Sequence, residues 1–143
     1  MHLETYLTFD GNCREVFEFY REVFGGEFSF VLTFAEGPPD LNIPEDEKDR
    51  IMHMSLPIGA SVLMGSDTSR AFGPLPKVGD NFSLSVSADS REQCDELFAK
   101  LSDGGSDLIP MQDQFWGSYF GRLTDKYGIG WMIGFDTAEQ VQA

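Results

Sequence analysis

The fold of this chain is decided by the segment Phe115–Asp136, FWGSYFGRLTDKYGIGWMIGFD. Aromatic and β-branched residues, which favour extended backbone, recur on both sides of its centre. The centre, Asp125–Gly128, combines residue types that are typical of a tight turn. Glycines inside the flanking runs weaken strand pairing and are tolerated where a sheet bends or where another group approaches the backbone. The segment therefore predicts a curved aromatic hairpin that forms the wall of a cavity.

The same order of elements occurs twice along the chain. A strand, a capped helix, a Gly-Gly pair and three strands are predicted over residues 3–65, and the order returns over residues 81–136. The pair Gly25–Gly26, which ends the first helix, has its counterpart in Gly104–Gly105. We therefore predict a single α+β domain over residues 1–143, made of two βαβββ modules joined by a linker at 66–80. The modules are expected to form an open, curved, eight-stranded mixed sheet around a central cavity.

Two segments between these elements need separate treatment. Residues 36–49 are acidic and proline-bearing, and the segment is long for a loop in a compact domain. Either a functional flap or a mobile excursion would fit it. In the second module, Leu108–Pro110 is predicted to be a short strand that ends at the proline.

The composition limits the classes of partner. The chain has 10 Lys+Arg against 24 Asp+Glu, a formal net charge of −14. Such acidity argues against binding to nucleic-acid phosphates or to an anionic membrane surface. No apolar run approaches the length of a membrane span, and the N-terminal residues do not resemble a signal peptide. Two cysteines, Cys13 and Cys94, make no disulfide framework, so a cytoplasmic protein with reduced thiols is expected.

Several motifs resemble the vicinal-oxygen-chelate superfamily, which contains glyoxalases, bleomycin-resistance proteins and extradiol dioxygenases. They are Tyr6–Asn12, Phe24–Gly26, Ile51–His53, Phe115–Gly117 and Asp125–Ile133. The nearer resemblance is to the PhnB-like branch, which is often labelled after 3-demethylubiquinone methyltransferase. It covers nearly the whole chain and implies a fold more than a reaction, because this scaffold carries many chemistries and some pure binders. The chain has no βαβα run from which a Rossmann-type methyl-donor site could be built.

The resemblance also implies where a metal ion would be held. Metal-dependent members place ligands, usually His and Glu, on four strands that point into the cavity. At the matching positions this chain offers Thr5 or Tyr6, His53, Asn81 or Ser83, and Met132. Because catalytic sites generally need three N, O or S ligands, His53 alone would not suffice. We therefore expect no cofactor and disfavour a divalent metal, with His53 as a metal ligand if there is one.

The leading functional hypothesis is a small-molecule binding protein without a catalytic metal. His53 could orient a ligand or act as a base, Arg122 could bind a carboxylate or phosphate, and the hairpin aromatics could stack on a planar group. The candidate ligand-binding residues are Thr5, His53, Asn81, Ser83, Phe115, Trp116, Tyr119, Arg122 and Met132.

Two alternatives remain open at this point. One is a metal-dependent lyase, isomerase or dioxygenase, which would need His53 and at least two further ligands. The other is an assembly module whose cavity is filled by its own side chains. Because single modules of this kind leave sheet edges open, and related proteins are usually homodimers, we also expect a homodimer.

Overall fold

The computed structural model describes residues 1–136, and the chain divides into two compact units. The first unit is Met1–Lys77, and the second begins at Val78. In the described part of each unit, one α-helix packs on one four-stranded mixed sheet, so the fold is α+β. No helix within residues 1–136 is both long enough and apolar enough to cross a membrane.

The first unit has the predicted order of strand, helix and three strands. Its elements are β1 (Thr5–Phe9), α1 (Cys13–Phe24), β2 (Phe30–Thr33), β3 (Ile51–Ile58) and β4 (Ser61–Asp67). The strands lie in the order β1-β4-β3-β2, with β1 parallel to β4 and the other pairs antiparallel. Helix α1 buries an apolar stripe that includes Phe17 and Tyr20, and it ends at Gly25, whose φ of 79° suits glycine.

The second unit repeats this arrangement. Its elements are β5 (Leu84–Ser87), α2 (Arg91–Ser102), β6 (Ser106–Asp113), β7 (Ser118–Thr124) and β8 (Gly130–Asp136). The order β5-β8-β7-β6 matches that of the first unit, with β5 parallel to β8. The Ser90 hydroxyl caps α2 by accepting a hydrogen bond from the Gln93 N–H at 3.1 Å. The predicted duplication of topology is confirmed, and the eight strands lie in two four-stranded sheets.

Two strand ends differ from the prediction. Strand β4 continues to Asp67, which the sequence assigned to the linker at 66–80. Strand β6 continues through Pro110 to Asp113 instead of ending at the proline. It tolerates proline because β6 lies at the edge of its sheet, where one side of the strand has no partner within the sheet. The register with β7 also shifts between Ile109 and Gln112, so the ladder does not require a backbone N–H donor at Pro110.

The acidic segment 36–49 is fixed to the first unit by a buried carboxylate. The side chain of Glu47 is 3% exposed and accepts hydrogen bonds from the Ser69 hydroxyl at 2.8 Å and from the Arg70 backbone N–H at 3.1 Å. The Arg70 guanidinium adds a third contact, from Nε, at 3.3 Å. Three short 3₁₀ turns, Phe34–Glu36, Pro39–Leu41 and Glu45–Glu47, give this segment local structure.

Acid is expected to weaken this attachment. Desolvation opposes ionisation of Glu47, but the Ser69 hydroxyl, the Arg70 N–H and the nearby guanidinium groups outweigh it and hold the pKa below its ordinary value of 4.5. Because the folded-state pKa is the lower one, the carboxylate stabilises the fold above pH 4.5, and this contribution is lost as the pH falls through the folded pKa. The stability advantage of the wild type over Glu47→Gln should therefore shrink between about pH 5 and about pH 3 in urea unfolding.

The matched control is Glu45→Gln, since the Glu45 side chain is 88% exposed and pairs with Lys48 at the surface. Its unfolding free energy should follow that of the wild type across this range. If the unfolding free energies of the wild type and Glu47→Gln depended equally on pH, the stabilising role assigned to the Glu47 carboxylate would be contradicted.

Candidate functional site

Each sheet has one face covered by its helix and one face that points away from it, which we call the helix-free face. In the first unit, Gly65 marks the covered face, because a Cβ built there would lie 2.7 Å from the Phe17 ring of α1. Side chains alternate along strands, so cross-strand register assigns the opposite face. Its residues are Tyr6, Thr8, Phe30, Leu32, His53, Ser55, Met64 and Ser66.

Three rings meet on the helix-free face of the first unit, and we call Tyr6, Phe30 and His53 the ring cluster. The Tyr6 and His53 rings stack with centroids 5.6 Å apart and planes 23° apart. Phe30 packs against His53 with ring centroids 5.4 Å apart. Tyr6 and Phe30 remain 47% and 48% exposed, so the cluster presents aromatic surface instead of filling a core.

The ring cluster also contains a polar pair. The Tyr6 hydroxyl lies 3.1 Å from His53 Nδ1. In the Nε2-protonated tautomer the tyrosine donates to Nδ1, and Nε2–H remains free to donate to a ligand. Strands β1 and β3 both pair with β4, so Tyr6 and His53 reach each other across that strand. The pair can therefore recognise a planar group by stacking and by one directed hydrogen bond.

The structure distinguishes Thr5 from its neighbour. Thr5 stands in register with Leu63, which is 4% exposed on the covered face of the sheet. Tyr6 stands in register with Met64 on the helix-free face and contacts His53. Thr5 therefore does not share the face of the ring cluster, and Tyr6 takes the position expected for the first strand. A one-residue shift in register accounts for the difference, because it exchanges the two faces of a strand.

Tyr119 lies on the helix-covered face of the second unit. Its hydroxyl donates a hydrogen bond to Asp95 of α2 at 2.6 Å, and the Arg91 guanidinium sits 4.6 Å from its ring centroid. The hydrogen bond to Asp95, with desolvation, raises the pKa of Tyr119. These contacts fasten α2 to β7, which places Tyr119 apart from the other candidate residues of the hairpin.

Arg122 and Met132 share the helix-free face of the second unit. They face each other directly in the β7–β8 ladder, and Arg122 also stands opposite Ile109 of β6. On the far side of Met132 the next strand contributes Ser85. This row brings one guanidinium onto an otherwise uncharged stretch of the sheet.

The remaining predicted residues lie around this face. Phe115 and Trp116 occupy the turn before β7, with their ring centroids 5.1 Å apart. The ring centroids of Trp116 and Phe120 lie 6.2 Å apart. Phe120 lies on the same face of β7 as Arg122, because side chains alternate along a strand. Trp116, which contacts Phe120, therefore borders the helix-free face. Asn81 and Ser83 precede β5, and the Ser83 hydroxyl lies close to Gly130. The sequence offered Tyr6 as the alternative to Thr5 and did not single out Ser85 or Phe120 as residues that occupy these faces.

The donors around His53 do not fit a tightly bound catalytic metal. Its ring neighbours, Tyr6 and Phe30, supply one phenol and no carboxylate. Across residues 1–136, no group of three His, Cys, Asp or Glu side chains is placed to hold a metal ion. A catalytic divalent ion ordinarily takes three such ligands.

Neither cysteine is suited to nucleophilic work. Both Cys13 and Cys94 are fully buried. Desolvation raises the thiol pKa of each, and the negative charge of Asp67 raises that of Cys13 further. Because the thiolate is the reactive form, these groups stay unreactive near neutral pH and act as small apolar side chains.

Comparison with known proteins shows the family and the fold. Residues 1–134 match the model of the family described as 3-demethylubiquinone-9 3-methyltransferase. A crystal structure of the protein PA1353 from Pseudomonas aeruginosa is similar, with 36% identity and a TM-score of 0.83 over 96% of this chain and 99% of that one.

Two further structures extend the comparison. A putative 3-demethylubiquinone-9 3-methyltransferase from Bacillus cereus, called a PhnB protein, is 24% identical with a TM-score of 0.74, covering 94% of this chain and 99% of that one. A glyoxalase/bleomycin resistance protein/dioxygenase family enzyme from Burkholderia phytofirmans is 19% identical, with a TM-score of 0.57 over 92% of this chain and 97% of that one. At these identities the likeness concerns the fold alone.

Proposed function

The chain belongs to the family described as 3-demethylubiquinone-9 3-methyltransferase, a PhnB-like branch of the glyoxalase-like superfamily, and from this premise we propose that it is a small-molecule binding protein. The observation that carries the proposal is the ring cluster on the helix-free face of the first unit. Exposed aromatic surface combined with one directed polar group is the usual composition of a small-molecule site.

The arrangement of the ring cluster supports binding of a planar organic molecule. Stacked and tilted rings at 5.4–5.6 Å leave aromatic faces and edges available to a further ring. The Tyr6–His53 hydrogen bond fixes the orientation of both side chains, which lowers the entropy lost when a ligand binds. Met64, half-buried and in register with Tyr6 on the same face, adds an adaptable apolar contact.

Methyl transfer, which the family description names, is not part of the proposal. A Rossmann-type methyl-donor site is built on successive parallel strands joined by helices. Within residues 1–136, the parallel pairs are β1–β4 and β5–β8, and all other strand pairs are antiparallel. The fold gives such a site no framework. The homodimer expected from the sequence stays a prediction beside this proposal.

Thermal-shift screening of the purified protein tests the proposal. The panel should contain planar aromatic and heteroaromatic metabolites, with Zn²⁺, Mn²⁺, Ni²⁺ and Fe²⁺ in separate wells. A ligand at about 100 times its Kd adds about 2.7 kcal/mol to the unfolding free energy, which raises Tm by several degrees. We expect at least one organic compound to do so. His53→Ala should weaken its binding roughly tenfold, since a stacked ring and a hydrogen bond are lost.

His2→Ala is the matched control, because His2 is the other histidine of the chain and pairs with Glu4 on an exposed stretch. It should bind as the wild type does. Equal binding by wild type and His53→Ala would remove the ring cluster from the site. A divalent cation that alone stabilises the wild type but not His53→Ala would favour the metal-dependent alternative.

A further inference from the structure

Among residues 1–136, the second unit holds one arginine that is not paired with a carboxylate. Arg122 is exposed on the helix-free face, and within residues 1–136 no ion pair or hydrogen bond holds its guanidinium. Four of the other arginines pair with carboxylates: Arg21, Arg50, Arg70 and Arg91. Arg14, exposed on α1, is also in no ion pair within residues 1–136. In a protein with a net charge of −14, an unpaired guanidinium on a sheet face calls for an explanation.

The surroundings of Arg122 are uncharged along its own row. Its cross-strand neighbours are Ile109 and Met132, followed by Ser85 on the far strand. Two carboxylates lie near this face. Asp107 accepts a hydrogen bond from the Thr124 hydroxyl at 3.4 Å, and Asp136 ends β8 on the same side as Met132, with no ion pair joining either of them to Arg122 within residues 1–136. Because none of these neighbours neutralises the guanidinium, its five N–H donors remain available to an external anion.

Space and aromatic surface lie beside the guanidinium. Gly134 follows Met132 on the same face and contributes no side chain, and a Cβ built there would meet its nearest neighbours only at 3.7–3.9 Å, which leaves room beside Met132. Phe120 and Trp116 form a wall at this end of the face, with centroids 6.2 Å apart. A planar group could rest against these rings while its anionic substituent reaches the guanidinium.

From this placement we propose that the helix-free face of the second unit binds a planar small molecule through an oxyanion group, carboxylate or phosphate, held by Arg122. This inference goes beyond the proposed function, since it adds a second binding face, on the other unit, and the chemical class of the ligand bound there. The planar guanidinium matches either oxyanion in a two-point hydrogen bond, which a neutral amide of the same shape cannot form.

The test uses four probes: benzoate, phenyl phosphate, the neutral benzamide and inorganic phosphate. Binding to the full-length protein is followed by ¹H–¹⁵N NMR, with the arginine Nε–H signals as reporters. We expect benzoate or phenyl phosphate to bind about 10–100-fold more tightly than benzamide, the range for hydrogen bonds to a charged group. Which of the two binds more tightly identifies the oxyanion. Inorganic phosphate should bind more weakly than phenyl phosphate, because it lacks the ring; equal binding would overturn the aromatic part of the proposal.

Three variants sharpen the result. Arg122→Met should abolish the preference for the anionic probes, and Gly134→Val should weaken all ring-bearing probes by filling the space beside Met132. The matched control is Arg14→Met, which removes the same charge from an exposed position on α1 of the first unit and should keep the preference. Circular dichroism and Tm establish that each variant is folded.

The outcomes separate this inference from the proposed function. If benzamide binds as tightly as benzoate and phenyl phosphate, or if Arg122→Met keeps the anion preference, the oxyanion proposal is overturned while small-molecule binding stands. If no probe binds, the oxyanion proposal is overturned, and if the thermal-shift screen also finds no ligand, small-molecule binding is overturned with it.

Discussion

Replacing Asp125 by alanine is expected to lower the free energy of unfolding by about 3–5 kcal/mol. Asp125 is 3% exposed in the turn between β7 and β8. One carboxylate oxygen accepts hydrogen bonds from the backbone N–H groups of Tyr127 at 2.8 Å and Ile129 at 3.1 Å. The other accepts from the Trp131 indole N–H at 2.9 Å. Alanine would leave these donors without their acceptor, at roughly 1–3 kcal/mol for each donor that water cannot reach.

Urea unfolding followed by far-UV circular dichroism measures this loss. Asp125→Asn should lower the free energy of unfolding less than Asp125→Ala does, because its amide oxygen can still accept the two backbone hydrogen bonds. The hydrogen bond from the indole is still lost, since the NH₂ group cannot accept it. Asp103→Ala, at an exposed position of the same unit, is the control and should change the free energy by no more than about 0.5 kcal/mol. A loss below about 1 kcal/mol for Asp125→Ala would contradict the role assigned to this carboxylate.

Asp67→Ala is expected to cost a similar amount, about 3–5 kcal/mol, in the first unit. Asp67 ends β4 and is 4% exposed. Its carboxylate accepts from the backbone N–H groups of Gly11 at 2.9 Å, Cys13 at 3.0 Å and Ile51 at 2.8 Å. It therefore joins the start of α1 to the start of β3, two segments that are distant in sequence. Removing it should loosen both elements as well as lower the total stability.

Hydrogen exchange distinguishes this effect from general destabilisation. In Asp67→Ala the amides of Gly11, Cys13 and Ile51 should exchange faster than other amides of the first unit, because they lose their acceptor. Asp40→Ala, an exposed substitution in the acidic segment, is the control and should leave their exchange unchanged. A uniform rise in exchange across the unit would show that Asp67 acts only on overall stability.

The order of elements could be predicted from the sequence because it depends on local patterns. Alternation predicted the strands, 3.6-residue spacing predicted both helices, and the residue types at Asp125–Gly128 predicted the turn. The turn is present, with Gly128 at a φ of 87° and its N–H bonded to the Asp125 carbonyl at 2.9 Å. These features need only neighbouring residues.

The contacts of the candidate site could not be predicted in the same way. The sequence placed Asp67 in the predicted linker. Its partners Gly11 and Cys13 are more than 50 residues away in sequence, so no local pattern indicates these contacts. The faces of Thr5 and Tyr119 depend on strand register, which a pattern leaves uncertain by one residue. Tyr6 meets His53 only because β1 pairs with β4 and β4 with β3. Such non-local pairings are a property of the folded sheet.

The ring resonances of the two histidines test small-molecule binding at the ring cluster most directly. In a ¹H–¹³C NMR spectrum of the protein labelled at histidine, His53 reports on the ring cluster and His2 serves as an internal control outside it. Binding of a planar compound found in the thermal-shift screen should shift the His53 signals in a saturable manner and leave those of His2 in place. In Tyr6→Ala the same compound should produce a weaker response at His53. If compounds that stabilise the protein leave His53 unmoved, or shift both histidines equally, the ring cluster is not the binding site.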